Sequence, residues 1–593
     1  MFVKNRSHFQ KPLFSTVTTL PEKQRKRLEA SWAGTFYEDV FCRIEEKTFE
    51  ILYSEKASRP NVSVHVLMGL EILKDGNGWT DEEMYDNFCY NVQVRYALGV
   101  HSLDEGHFEL RTTYNFRRRL VQHMQATGEN LVEACFEQIT DEQLEVYAVK
   151  SGVQRVDSKQ IASNIRQTTR LQLLVEVLQR TYRMLDAADK LQYHDIFAPY
   201  IKGSSGKYIY RLKGEKHQRR IEQIGGLMAR LLPQLVEKYN TDTGYAILER
   251  VFNEHFKRVE SGVAAKAGSE LAADTLQSPD DLEATFRKKR GEGHVGYVVN
   301  VTETVDEGQG VQLITKVQTE SNTADDAKML NEALPDLVER TELETLYTDG
   351  TYSSSAVDTT CQEQGVNQIQ SGIRGTQPDP NGVSLSNFDF QLDAQGIPEQ
   401  MTCPHGQAVN LAHGRKEGRY IARVPESVCP LCAAHDKQRQ AALCLVLYFS
   451  MPQLAVALRR QRMATLLALE SNPRAAVEAT VRELTCRFNN AKLRVRGHYR
   501  VAMTMVASAA MCNARRIWRF QQSQLTDNNG QETDLDEQKN SLRPSILAVR
   551  LFCRTILAFG PFCRSILRVS AYFAPSRIFD RHRFAYPVPL VIF

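Results

Sequence analysis

Three carboxylates stand where a chain would use them to hold divalent cations. Asp349 follows the apolar run of Leu343, Leu346 and Tyr347 in "ELETLYTDGTYSSSAV" and precedes Gly350. The run reads as a short strand, which puts Asp349 at its carboxyl end, where open α/β sheets gather ligands and catalytic carboxylates. An Asp-Gly turn joining a strand to a helix leaves the same trace. Asp157 ends a second β-rich run in "VYAVKSGVQRVDSKQIASN". Glu478 belongs to "ESNPRAAVEATVRELTCRFNNAKLRVRGHYR", where Asn472 reads as an N-cap and Pro473 as the first helical residue. In that helix Val477, Val481, Leu484 and Phe488 form the buried stripe. At about 100° per residue, Arg474, Glu478 and Thr485 fall on one flank, while Glu483 points away toward Arg487 as an i, i+4 surface pair.

Clustered carboxylates repel one another and persist where cations compensate them. Two metal ions about 4 Å apart would activate a water or a DNA hydroxyl and stabilise the leaving oxygen of a phosphodiester. Mg²⁺, or Mn²⁺ in its place, suits such hard oxygen donors, and two ions per site are expected. A second candidate site is softer. Cys403 and His405 precede Cys429 and Cys432, and the C-x-x-C spacing of the latter pair suits one side of a structural Zn²⁺ site. The C-x-H spacing is less standard, and reduced surface cysteines are the alternative.

The elements that must position these groups follow an α/β order. Residues 1–150 read as mainly helical. Thr80 and Glu83 in "WTDEEMYDNF" carry a capping-box signature, and Phe116, Leu120 and Met124 give a buried stripe in "TTYNFRRRLVQHM". Arg117, Arg118 and Arg119 project around that helix, as a DNA-binding module or a solvated face would have them. The strand ending at Asp157 is followed by a charged helical insertion at 165–290. Two paired strands, "GYVVNVTETV" and "VQLITKVQTE", then lead through a helix to the strand before Asp349, a further helix and a strand near "VNQIQSGI". Residues 376–450 form a Pro-, Gly- and Asn-rich insertion that carries the Cys/His set and has little evident core. The domains expected are therefore 1–150, 151–520 and a tail at 521–593.

Composition narrows the partners. The 593-residue chain, with 42% hydrophobic and 24% charged residues, has the make-up of ordinary globular protein, enough for three or four domains at about 150 residues each. Its net charge of +3 says little, but Arg482, Arg487, Lys492, Arg494, Arg496, Arg500, Arg515, Arg516 and Arg519 face Glu483 alone between 481 and 520. Such an excess suits nucleic acid. No apolar run reaches the ~20 residues of a membrane span, and the amino terminus lacks a secretory core. Twelve dispersed cysteines point to a reducing, cytoplasmic setting.

At these motifs the chain resembles a bacterial insertion-sequence transposase of the DDE class, with a ribonuclease H-like catalytic core. "VDSKQIASN" resembles the first-aspartate motif, "YTDGTYSS" the second, and "NPRAAVEATVREL…LRVRGHYR" the glutamate helix with its basic continuation. "RPNVSVHVLMGLEILKDGNGWTDEEMYDNFCYNVQVRYALG…TTYNFRRRL" is similar to the family's helical amino-terminal domain. The match covers about residues 40–520. The resemblance implies an α/β fold with a mixed sheet, the helical and Cys/His insertions lying within it. It implies Asp157, Asp349 and Glu478 as Mg²⁺ ligands and Arg474, Arg482, Lys492, Arg494, Arg496 and Arg500 as DNA contacts. The partner is double-stranded DNA, both element ends and target, bound by a homodimer or higher assembly associated with the nucleoid and not with membrane. The chain departs from the family at Ser471, where relatives often carry tyrosine, and at Thr485, where many carry lysine. Lys492, two turns beyond Thr485 if the helix persists, is the candidate substitute. These departures leave a DNA-binding protein with decayed catalysis as the alternative reading. In the tail, Ser-Ile-Leu or Thr-Ile-Leu recurs at 545, 555 and 565 in a basic, apolar setting that reads as a poorly ordered extension or a surface for a partner.

Overall fold

The computed structural model describes residues 2–528 except 6–11, 55, 57–59, 167, 211, 213–216, 261, 290, 307, 309, 374–383, 394–395, 405, 417, 425–444, 468–471 and 489–491. Residues 1–520 form one compact unit; of the second, 521–593, only the end of one helix is described. The repeats expected in the tail lie outside the described residues, as do His405, Cys429, Cys432 and Ser471.

Among the described residues seven helices come first: α1 (Glu22–Glu29), α2 (Trp32–Asp39), α3 (Val64–Asn77), α4 (Asp81–Tyr90), α5 (Val92–Ala97), α6 (Arg111–Thr127) and α7 (Leu131–Val146). The capping box at α4 is present: Thr80 Oγ1 accepts from the Glu83 amide at 3.0 Å, and Glu83 Oε2 from the Thr80 amide at 2.7 Å. Phe116, Leu120 and Met124 are buried along α6. Its arginines divide by role. Arg117 is engaged inside, with Nε on Glu71 and Nη1 on Asp81, both at 2.7 Å, and Arg119 lies over the Tyr53 ring. Of the three only Arg118 is fully exposed.

Strand β1 (Val153–Ile161) opens the sheet. A helical excursion follows, α8 (Arg170–Met184), α9 (Ala187–Gln192), α10 (His194–Ile201), α11 (Ser205–Tyr210), α12 (His217–Tyr239) and α13 (Thr243–His255), with a separate core built on Leu174, Leu178, Phe197, Ile224, Met228 and Leu248. It closes on a hairpin, β2 (Phe256–Val259) with β3 (Gly262–Ala265), so the 165–290 insertion is not wholly helical. The sheet resumes with β4 (Thr285–Lys289), β5 (Glu292–Thr304) and β6 (Ile314–Ser321), then α14 (Asp326–Thr341), β7 (Thr345–Thr348), α15 (Ser355–Gln364) and β8 (Asn367–Gln370). Its order is β4-β5-β1-β7-β8, with β6 also on β5. β1 runs antiparallel to β5 and parallel to β7, which is parallel to β8. The molecule is thus a mixed α/β protein with a mixed sheet, in the order of strands and helices expected but for β4, which falls at the end of the region read as a helical insertion.

The region at 376–450 departs from expectation. Strands β9 (Asp389–Leu392), β10 (Pro398–Thr402), β11 (Ala408–His413), β12 (Arg419–Val424) and β13 (Leu445–Ser450) form an antiparallel meander. Phe388, Met401, Cys403, Tyr420, Ala422 and Phe449 give it a core of its own. Alternating apolar residues such as Tyr420, Ala422 and Val424 carried that signal in the sequence. From there α16 (Met451–Leu467) leads to α17 (Val477–Thr485), entered through a 3₁₀ turn at Pro473–Ala476, and to the long α18 (His498–Asn528).

The two faces of the sheet are covered differently. Val156, Leu346 and Tyr352 pack with Leu330, Leu334 and Leu337 of α14 on one face. On the other, Tyr297, Val299 and Val301 of β5 join a core that runs through α17 and α18 into the amino-terminal helices. Gly76 lets α3 and α18 cross closely, since a Cβ there would meet Met511 Cβ at 2.2 Å. The buried Asn513 of α18 exchanges both hydrogen bonds with the Ile314 backbone, at 2.8 and 2.9 Å, extending the ladder of β6 into a side chain.

Candidate functional site

One face of β1 organises the site. Successive side chains of a strand alternate between faces, so Arg155, Asp157 and Lys159 project together. Their antiparallel partners on β5, Glu303, Val301 and Val299, share that face. All three β1 residues reach the 473–485 segment: Arg155 Nη1 donates to Pro473 O at 2.8 Å, Asp157 Oδ1 accepts from Arg474 Nη2 at 2.9 Å, and Lys159 Nζ donates to Thr485 Oγ1 at 2.8 Å. The four steps from Arg155 to Lys159 span about 14 Å along a strand, and the twelve from Pro473 to Thr485 about 18 Å at the α-helical rise. The two runs are therefore similar in length, and β1 serves as a rail along which the helix lies.

Asp157 does not end its strand, contrary to the sequence reading. β1 continues to Ile161 because β5 pairs with it throughout, whereas its parallel pairing with β7 stops at Arg155 against Tyr347. Two residues further along that register, Asp157 comes level with Asp349. Asp349 does sit at the carboxyl end of β7, and it is also a turn cap: Oδ1 accepts from the Thr351 amide at 2.7 Å and from the Thr351 hydroxyl. The turn reading of the Asp-Gly pair holds, with one carboxylate oxygen closing the turn, while the other faces Arg474 at 4.0 Å.

The start of the glutamate helix is as expected in one respect. Asn472 caps it, accepting from the Arg474 amide at 3.0 Å, and Val477, Val481, Leu484 and Phe488 are all buried. Pro473 opens a 3₁₀ turn instead of the α-helix proper, yet the i, i+4 relation of Arg474 and Glu478 survives. Arg474 therefore stands among three carboxylates. Nη2 lies 2.9 Å from Asp157 Oδ1 and 4.0 Å from Asp349 Oδ2, and Nη1 lies 3.2 Å from Glu478 Oε1. Burial pushes the Asp157 carboxyl above its usual range, with Asp349 adding to the push and Arg474 opposing it. Beneath them, burial and the nearby carboxylates hold the fully buried Tyr352 hydroxyl neutral, well above the usual tyrosine range; it donates to Asn300 Oδ1 at 2.8 Å.

Glu483 is placed otherwise than the sequence suggested. It does not pair with Arg487; it faces α18, 3.2 Å from Arg519 and 3.6 Å from Arg516, and accepts from Cys512 Sγ. Arg516 and Arg155 together clamp Glu303, which is wholly buried: Arg155 Nε lies 2.7 Å from one oxygen, Arg516 Nη1 2.8 Å and Thr480 Oγ1 2.6 Å from the other. This network ties β1, β5, α17 and α18 together and was not singled out from sequence. Its signal was present as polar residues at alternate positions, 155, 157 and 159, on a strand face that should be apolar.

The basic residues separate as well. Arg515 donates to Gly76 O and Asn77 Oδ1, and burial pushes its guanidinium down to about 10. Arg515, Arg516 and Arg519 thus serve the interior or intramolecular pairs, and the apparent excess shrinks. Lys492 does not continue the helix. α17 ends at Thr485, and Lys492 forms a bridge beside Ala162, where Leu493 N donates to Ala162 O at 2.8 Å. Arg496 reaches Asn164 O at 2.6 Å and Asp280 at 3.6 Å. Arg482, Lys492, Arg494 and Arg500 are exposed.

Two chemistries follow from these donors. The three carboxylates are hard oxygen ligands suited to Mg²⁺ or Mn²⁺, but among the described residues no group of three acidic, His or Cys side chains closes around a common point. Arg474 spaces them and supplies the compensating charge itself. Of the candidate zinc ligands, only Cys403 is described; it is buried, and its carbonyl accepts from the Gly406 amide at 2.8 Å in a tight turn. No described helix is long and apolar enough to cross a membrane. No family model matches the chain, and neither does any curated protein or solved structure.

Proposed function

We propose that the chain is a DDE-class DNA transposase that binds the ends of its own element and cuts and joins DNA with divalent metal ions. The observation that carries the reading is the convergence of Asp157, Asp349 and Glu478, from three separate segments, on the single guanidinium of Arg474. A ribonuclease H-like core is supported by the mixed sheet, in which an antiparallel hairpin flanks one edge of β1 and parallel strands the other.

In this reading Asp157, Asp349 and Glu478 would hold two Mg²⁺ or Mn²⁺ ions, whose chemistry would be to activate a water or a 3′-hydroxyl and to stabilise the leaving oxygen. The chain's own residues do the positioning. Thr351 fixes one oxygen of Asp349 so that the other is presented to the cluster. Arg155 holds the Pro473 carbonyl and so sets where Arg474 and Glu478 stand above β1. Arg474 offsets part of the acidic charge of the cluster. The exposed Arg482, Lys492, Arg494 and Arg500 supply the positive surface for the DNA backbone.

The test is incubation of the full-length protein with duplex DNA carrying the element's terminal inverted repeats, with Mg²⁺ or Mn²⁺. Cleavage at those ends, lost in Asp157→Asn, is expected. Binding of the ends without cleavage under either metal would refute the enzymatic assignment and leave a DNA-binding protein. Cutting governed by branched structure and indifferent to end sequence would make it a junction nuclease.

A further inference from the structure

Beside the carboxylate cluster lie two cations that no carboxylate neutralises among the described residues. Lys159 projects from β1 on the face that carries Asp157, two residues on, and is only partly buried. Its ammonium donates to Thr485 Oγ1 at 2.8 Å, while that hydroxyl donates to Val481 O at 3.0 Å. Thr485 is thereby turned to offer Lys159 a lone pair, and two of the three ammonium hydrogens remain for another acceptor. Arg482, exposed on α17 three residues before Thr485, is its neighbour on the helix surface. Two like charges held side by side are unfavourable unless an anion joins them.

We propose that Lys159 and Arg482 form a seat for one phosphate of the DNA strand, next to the carboxylates that process the strand. The proposal rests on the nuclease reading for the identity of the strand, but its geometry is independent of metal. The cluster is acidic and would repel a phosphodiester; a cationic pair at its rim, one member fixed to the strand that carries Asp157, attracts the backbone and sets its register. Thr485 acts here as a positioning residue: it touches no DNA and holds the ammonium in place. Lys159 thus adds, from the strand, a second cation to the one that α17 presents at Arg482.

The experiment uses full-length protein, duplex DNA carrying the element's ends, and the same duplex with single phosphates replaced one at a time by neutral methylphosphonates. Binding is measured over a range of salt for the wild type, Lys159→Met, Arg482→Gln and the double variant. The double variant should lower the slope of log affinity against log salt by about one, for the one phosphate no longer neutralised, and each single variant by part of that. Lys159→Arg should restore the slope. One methylphosphonate position should weaken binding by the wild type and leave the double variant no weaker than it already is. Lys159 as a mere anchor for α17 would alter stability but not the slope, and that result would overturn the proposal, as would equal methylphosphonate effects in the wild type and the double variant. A wild type that cuts normally while Lys159→Met keeps the full slope sinks the seat alone. A wild type that never cuts while the slope falls as expected sinks the nuclease reading alone.

Discussion

Replacing Arg474 by methionine removes the guanidinium that stands among three carboxylates while keeping much of the side chain's bulk. The contact with Asp157 dominates the expected effect: the pair is 2.9 Å apart, with the side chains 15% and 14% exposed. A charge-assisted hydrogen bond so placed contributes about 1.5–3 kcal/mol. The Glu478 contact adds a few tenths at most, because that carboxylate is 64% exposed. The total loss expected in chelator near neutral pH is about 2–3 kcal/mol, read from urea unfolding followed by tryptophan fluorescence. The pH dependence fixes the cause. Asp157 already titrates above its usual range through burial, and losing Arg474 raises it further. A carboxyl whose folded value lies above its unfolded one favours folding below the unfolded value, and that contribution is lost as pH rises through the folded one. Arg474→Met should therefore differ little from the wild type at about pH 4, with the difference growing toward neutrality. Saturating Mn²⁺ should then restore the variant by more than it stabilises the wild type, since only in the wild type must ions displace a guanidinium. Equal metal-induced gains in the two proteins would show that ion and guanidinium do not compete for the same oxygens, and the reasoning would fail.

Glu478→Gln should abolish cleavage and spare end binding in a gel-shift assay, whereas Glu483→Gln, which loosens the contacts to Arg516 and Arg519, should cost about 1–2 kcal/mol of stability and leave cleavage intact; the reverse pattern would assign the site to the wrong glutamate. Glu303→Ala strands two buried guanidiniums and should destabilise the fold by about 3–5 kcal/mol in urea titration, far more than any exposed acidic residue. Metal analysis of the full-length protein should find one zinc per chain, lost in Cys429→Ser; because the meander has its own core, the far-UV spectrum should survive that loss.

How much was legible depended on how local the determining interaction is. The capping box at Thr80, the Asn472 cap, the stripe from Val477 to Phe488 and the strand before Asp349 are set by neighbours within one or two turns, and each is present. The misplacements of Asp157, Glu483 and Lys492 involve distant partners. β1 runs past Asp157 because β5, over 130 residues later, supplies a full ladder, and nothing in "DSKQI" announces that. Glu483 turns from Arg487 because α18 brings Arg516 and Arg519 to it. Lys492 leaves the helix because the chain finds hydrogen bonds beside the end of β1.

The contact at Thr485 follows the same logic. A helix and a strand packed along their length offer two routes by which a cation can reach one point, and a motif scored on the helix alone sees only the first. Here α17 presents a hydroxyl and β1 presents the ammonium, at 2.8 Å. The Lys159 charge is therefore supplied from the other side of the packed pair, beside Arg482 on α17. Lys159 belongs to the strand register that also fixes Asp157 against Val301 and Arg155 against Glu303. Moving it by one residue would turn it to the opposite face of the sheet. A charge placed on the helix is set by one helical phase; a charge placed on β1 is set by the same ladder that positions the first carboxylate. That arrangement couples the distance between cation and carboxylate to the register of the sheet.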